Sequence, residues 1–222
     1  MEEHKPISAT VASVLPVCGS LAALRKGKEI HGYIVRGKLD SNVAMRTVVM
    51  DMHSKCGSVE DANKVFNKDC EGDVITCSVM IVGNGKKGHA NKAFEIFCQM
   101  LKNSVMPNVI TVVNVLLICG DSPALRQGKE LHAYGIKCGF VTIVSLRWAL
   151  INMYAKCGSR EAAHKVINES SNKSATLWTA MIAGYRVNGH AEEALRFFHQ
   201  MRQHGIEPNL PVFLDILPVC AT

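Results

Sequence analysis

The sequence repeats itself at a constant spacing of about 101 residues, which limits its fold more than any other feature. Gly27-Lys28-Glu29-Ile30-His31 returns as Gly128-Lys129-Glu130-Leu131-His132. Lys55-Cys56-Gly57-Ser58 returns as Lys156-Cys157-Gly158-Ser159, Gly88-His89-Ala90 as Gly189-His190-Ala191, and Pro107-Asn108 as Pro208-Asn209. The offset is the same at all four landmarks, so no residue has been gained or lost between them. Residues 8–108 and 109–209 agree at roughly 38 of about 101 positions. A third copy begins where Ile216-Leu217-Pro218-Val219-Cys220 echoes Val14-Leu15-Pro16-Val17-Cys18. Such a chain folds as a stack, and its function belongs on a surface shared by the repeats.

Each period divides into three units of about 35, 31 and 35 residues, and each unit reads as two helices. In 74–108 an apolar-periodic stretch over 76–82 is weakened and ended by Gly83, Gly85 and Gly88. A second helix begins near Ala90 and places Ala93, Phe94, Phe97 and Met100 on one face, and Pro107 stops it. Residues 8–42 split into helices around 11–17 and 24–35. Residues 43–73 give a helix over 43–55, a stop at Cys56-Gly57, and a second helix opened by Ser58 with Asp61 at the capping-box position. One helical hairpin cannot bury its own apolar face. Stacking buries it, which predicts an all-α, right-handed α-solenoid of helix–turn–helix repeats with first helices lining a concave face.

Composition agrees. The chain is 48% hydrophobic with a mean hydropathy of +0.10, enough for a continuous core and against disorder. The net charge of +6 suits a polyanionic partner without proving one. Nine cysteines include no C-x-x-C pair, and Cys18, Cys119 and Cys220 occupy one repeated position, as buried thiols in a reducing compartment would. Glu2 and Glu3 stand where a signal or transit peptide would be apolar or acid-poor. The longest apolar stretch, 109–119, is too short to span a bilayer, so no membrane partner is expected.

The wording of the units resembles the pentatricopeptide repeat family of plants, in the class that alternates long, short and standard motifs. Residues 150–159 (L-I-N-M-Y-A-K-C-G-S) resemble the short motif, 178–185 (W-T-A-M-I-A-G-Y) with 188–194 (N-G-H-A-E-E-A) the standard motif, and 128–133 (G-K-E-L-H-A) the long motif. The resemblance sets motifs at 8–42, 43–73, 74–108, 109–143, 144–174 and 175–209, after an N-terminal extension of residues 1–7. An unfinished seventh motif, 210–222, suggests a fragment without the C-terminal domains of longer relatives.

The resemblance implies single-stranded RNA as partner, about one base per repeat, read by the fifth and last residues of a motif. Thr47 with Asp73 then favours guanine, and Ser78 with Asn108 and Thr179 with Asn209 favour adenine, for a footprint of G-A-N-N-A. A hydroxyl beside an amide or carboxylate can complement a base edge, since carboxylates only accept and amides also donate. Ile75 and Thr176 fall at the second position, where the family sandwiches bases, and Lys55, Lys86 and Lys156 at a thirteenth position that can meet phosphate. Trp148 with Ser174 departs from the reading pattern, and the long motifs, with Ala12 and Asn42 and with Val113 and Ile143, read weakly in the family.

The resemblance further implies action in a mitochondrion or plastid, in RNA editing or processing with proteins acting in trans, and without catalysis, metal or cofactor in this chain. His190-Ala191-Glu192 matches the H-x-E of zinc deaminases, but the P-C-x-x-C partner is missing and the earlier copy reads His89-Ala90-Asn91. His31, His132, Cys56 and Cys157 read as packing residues. Asp73, Asn108 and Asn209 stand where ordinary helix caps stand, so a purely structural role is open to each. Two other functions fit the same residues: a peptide-holding solenoid, and a relic of a longer gene, the latter favoured by Gly135 inside a predicted helix.

Overall fold

The computed structural model describes residues 8–67, 73–169 and 174–220. The expected extension at 1–7 lies outside them. Among the described residues there are thirteen α-helices, two short 3-10 turns and no strand. The helices are α1 (Ser8–Ser20), α2 (Leu24–Arg36), α3 (Val43–Lys55), α4 (Val59–Asn67), α5 (Val74–Lys86) and α6 (Ala90–Lys102). They continue with α7 (Val109–Asp121), α8 (Leu125–Lys137), α9 (Val144–Lys156), α10 (Arg160–Asn168), α11 (Ala175–Val187), α12 (Ala191–Gln203) and α13 (Leu210–Cys220). The chain forms an all-α repeat solenoid. Short units differ from the others by one helical turn: α4 and α10 have 9 residues where α2, α6, α8 and α12 have 13.

Residues 1–111 and 112–222 form two compact units. In the first, α1 packs on α3 and α3 on α5, while α2, α4 and α6 each lie against the first helix of their own hairpin. Leu15, Ile34, Met52, Met80, Ile81, Ile96 and Met100 are fully buried there. In the second, α9 packs on α11 and α11 on α13, with Leu116, Leu131, Leu146, Leu150 and Ile151 fully buried. Each such side chain contributes roughly 1.5–3 kcal/mol through burial, which is what holds marginally stable hairpins in place.

Gly57, Gly88, Gly158 and Gly189 end first helices at φ between +72° and +78°, the left-handed conformation glycine adopts without strain. Gly83 and Gly85 do not end α5, as the sequence suggests; the helix runs through both to Lys86. Gly83 is buried where α5 meets α3, and a Cβ there would meet the Ser54 side chain at 2.6 Å. Its counterpart Gly184 faces Ala155, and Gly27 and Gly128 each accept a methionine, Met52 or Met153, from the next first helix. Gly135 likewise lies buried in α8 against Leu146, so this glycine has a packing reason and is no sign of decay. Pro107 does not stop α6 either. The helix ends at Lys102, and Ser104 turns the chain at φ 58°.

A polar pair joins the first and second hairpins of each period to the first helix of the unit that follows. His31 meets His53 at 3.0 Å, His132 meets the Tyr154 hydroxyl at 2.9 Å, Asn63 and Asn84 exchange bonds at 3.3 and 3.4 Å, and His164 meets Tyr185. The histidines therefore belong to packing. His53 is almost wholly buried, and burial, with His31 and Lys28 nearby and Asp61 opposing them, pushes its pKa down to about 4. The Ser58 hydroxyl donates to the Asp61 carboxylate at 2.8 Å, and Asp61 also takes Lys28 and Lys64, which hold it below the usual carboxylate range.

Gly184→Ala should lower the thermal midpoint, although alanine is the better helix former, because the added methyl meets the side chain of Ala155; a loss of about 1–3 kcal/mol is expected in denaturant titration. His53 binds its proton less well folded than unfolded. Stability is therefore full above about pH 6.5 and falls as pH drops toward 4. His53→Tyr, which copies Tyr154 of the second period, should flatten that fall in melts recorded across the window.

Candidate nucleic-acid interface

The last residue of each unit precedes the first helix of the next and can cap it, because the first backbone N–H groups of a helix need an acceptor. Asp73 does so: its Oδ1 accepts the Thr76 N–H at 2.7 Å. Thr76, by backbone and side chain, holds the Asp73 carboxyl below its ordinary range, with the Ile75 N–H adding to the effect. Asn108 accepts the Thr111 N–H at 3.0 Å, Asn42 the Ala44 N–H at 2.8 Å, and Asn209 the Val212 N–H at the longer distance of 3.3 Å. Ile143 and Ser174 make no side-chain cap.

The fifth residues lie on first helices: Thr47 on α3, Ser78 on α5 and Thr179 on α11. Two of the three expected pairs are joined through a residue that sequence reasoning passed over. Thr76 Oγ1 lies 2.7 Å from Thr47 Oγ1, and the same Thr76 is bonded to Asp73. One unit on, Thr111 Oγ1 lies 3.1 Å from Ser78 Oγ and donates to Asn108 Oδ1 at 3.1 Å. Thr76 and Thr111 are both the third residue after the cap, both buried, and 35 positions apart. That recurrence was the available signal. Thr179 and Asn209 are not joined in this way. Thr179 bonds back to the Ala175 carbonyl at 2.8 Å, and the third residue after Asn209 is Val212.

Trp148 is half-buried, and the Ser174 hydroxyl is buried with no hydrogen-bond partner, with Leu177 at the third position. This slot shares neither the cap nor the link of the others. At the second position Ile75 is 67% exposed, a large apolar side chain left open to solvent, and Thr176 is exposed. Ile110, the second residue of the following unit, is equally open at 64% and was not singled out from the sequence.

The expected phosphate lysines end first helices, where a cation also offsets the helix dipole. Lys55 is bound to Asp51 at 2.7 Å and Lys156 to Asp121 at 2.6 Å. Lys86 is exposed and forms no ion pair among the described residues. Lys55 and Lys156 must leave a carboxylate to meet an anion; Lys86 need not. No three His, Cys, Asp or Glu side chains among the described residues converge as metal ligands would. No described helix is long and apolar enough to cross a membrane.

The sequence model of the PPR repeat family matches residues 72–117 and 173–211, and that of the PPR repeat matches 45–68. Three pentatricopeptide repeat-containing proteins of Arabidopsis thaliana are similar along nearly all of the chain. One, named as putative, is 35% identical over 98% of it; a chloroplastic one is 35% identical over 97%; a mitochondrial one is 32% identical over 96%. The chain spans 30%, 35% and 31% of their respective lengths. The crystal structure of the pentatricopeptide repeat protein PPR10 with an 18-nt psaJ RNA element has the same fold, with a TM-score of 0.80 at 16% identity over 98% of this chain and 33% of that one.

The caps predict a separable structural role. Asp73→Ala should cost about 1 kcal/mol of stability and Asp73→Asn a few tenths, read from thermal melts, because an asparagine oxygen caps nearly as well as a carboxylate.

Proposed function

This chain belongs to the pentatricopeptide repeat family, and we propose that it is a sequence-selective, non-catalytic scaffold for single-stranded RNA that takes about one base per repeat. The observation that carries this reading is the pairing of a hydroxyl with a carboxylate or amide at successive unit boundaries. Thr47 with Asp73 and Ser78 with Asn108 are each linked through one threonine, Thr76 or Thr111, of the chain itself. Preorganised polar groups lose less entropy on binding and leave an unmatched base with unpaired donors or acceptors.

The footprint is G-A-N-N-A, with the guanine at Thr47 and Asp73 and the adenines at Ser78 with Asn108 and Thr179 with Asn209. Ile75, Ile110 and Thr176 lie at the positions that flank bases, and open apolar side chains such as Ile75 and Ile110 suit a stacked base face. Lys86 supplies a ready phosphate contact, and Lys55 and Lys156 supply two more on exchange with their carboxylates. The units alternate long, short and standard, and the site of action is a plastid or mitochondrion, in RNA editing or processing. Any chemistry on the RNA comes from proteins acting in trans.

The purified chain should bind a short single-stranded RNA carrying G-A-N-N-A several-fold more tightly than the same RNA with its three fixed bases changed. Affinity should fall with salt by about 0.7 in log–log slope for each phosphate contacted. Asn108→Asp should shift or weaken the preference at the second base. Equal binding to both RNAs would reduce the chain to a nonspecific basic surface, and no binding by a folded chain would favour a peptide partner instead.

A further inference from the structure

We propose that Thr111 and Thr76 are positioning residues that set the hydrogen-bonding polarity of two base slots, and that the slot at Thr179 and Asn209 discriminates less because Val212 stands where the threonine would. The inference rests on the RNA reading above.

A proton count in the second slot supports it. The Thr111 backbone N–H and hydroxyl both donate to Asn108 Oδ1, at 3.0 and 3.1 Å. With its oxygen held by two donors, the amide turns its NH2 away from them. The Thr111 hydroxyl has then spent its only proton, so its 3.1 Å contact with Ser78 is made by the Ser78 proton. Ser78 Oγ keeps its lone pairs. The slot thus offers one amide donor and one hydroxyl acceptor. Adenine presents N6–H2 beside a ring-nitrogen acceptor, one of each, and leaves nothing unmatched. The pairing edge of guanine presents O6, N1–H and N2–H2; O6 and N1–H can take the amide donor and the hydroxyl acceptor, but the N2–H2 donor is left unmatched.

In the first slot the acceptor-only carboxylate of Asp73 replaces the amide, and Thr76 ties Thr47 to it, with its backbone N–H on Asp73 and its hydroxyl on Thr47. Thr47 donates its only proton to the Val43 carbonyl at 2.9 Å, so the contact between the two hydroxyls is made by the Thr76 proton and the orientation of Thr47 is set from two sides. The slot at Thr179 lacks this device. Thr179, like Thr47, gives its proton to the carbonyl one turn back, that of Ala175, but Val212 brings no hydroxyl to it, and the Asn209 oxygen accepts the Val212 N–H at the longer distance of 3.3 Å. Val212 is fully buried, like Thr111, so a hydroxyl introduced there would lie in the same protected place beside the cap.

The test measures RNA affinities for the four bases at each slot, in the full chain and its variants. Thr111→Val keeps side-chain volume and the backbone cap, and should reduce the adenine preference at the second base about three- to tenfold while the guanine preference at the first base stays unchanged. Thr111→Ser should restore it, and Val212→Thr should raise adenine preference at the last base. Circular dichroism melts of each variant establish that the fold is retained. A Thr111→Val chain that keeps the parental base ratios, or that loses affinity equally for every base, overturns the proposal. A parental chain that binds RNA without base preference, or not at all, removes the RNA reading itself and the inference with it. The two failures are told apart by the parent alone.

Discussion

The close approach of one unit's first helix to the next is the constraint on which the other features depend. In residues 1–111, Gly83 lets α5 settle onto Ser54 of α3; in residues 112–222, Gly184 lets α11 settle onto Ala155 of α9. A methyl group at either glycine has no space. The approach also explains the paired glycines of the second helices, since Gly27 and Gly128 leave a slot for the methionine at the same position of the following first helix. With helices this close, the fifth residue of one first helix comes within hydrogen-bond distance of the third residue of the next, as Thr47 does with Thr76 and Ser78 with Thr111. Packing thereby creates the polar slots. Neither exists on an isolated hairpin.

On the proposed reading, the residues that close these slots serve two ends. Asp73 and Asn108 satisfy the N–H groups that begin α5 and α7, a need that any helix has. Capping occupies an oxygen of each and fixes its orientation, so the rest of the carboxylate or amide is held where a base edge can meet it. A helix cap is a stable place to mount a recognition group, because the bond that positions the group also contributes to folding. Under that proposal, residue type alone could not separate the structural role from the functional one at these positions.

Between second helices and the first helices that follow, the chain keeps a polar pair in place while changing its chemistry: His31 with His53, His132 with Tyr154, Asn63 with Asn84 and His164 with Tyr185. What persists is the requirement that a buried polar group and its half-buried partner satisfy each other, since an orphaned one costs roughly 1–3 kcal/mol. The basic end-of-helix residues follow a different rule. Lys55 and Lys156 carry positive charge at the expected places but lie in ion pairs, so a positive charge at the right position is not the same as a free cation.

Much of the fold was legible because its signals are local. The extent of α3, the left-handed glycines at 57 and 158, the start of α6 and the caps at Asp73 and Asn108 all follow from residues within one turn of each other. The period of about 101 residues made the solenoid readable from end to end. Gly83 was misread as a helix breaker and Gly135 as a sign of decay, and the contacts of Thr76 and Thr111 went unseen, for one shared reason. Their partners, Ser54, Leu146, Thr47 and Ser78, lie on a different helix. The sequence by itself determined the class of fold, the repeat register and the residues that stand at each unit boundary. Only the tertiary structure decided which of those residues touch, which hydroxyl links which pair and which lysine is already neutralised, because these depend on the distance between packed helices and not on spacing along the chain.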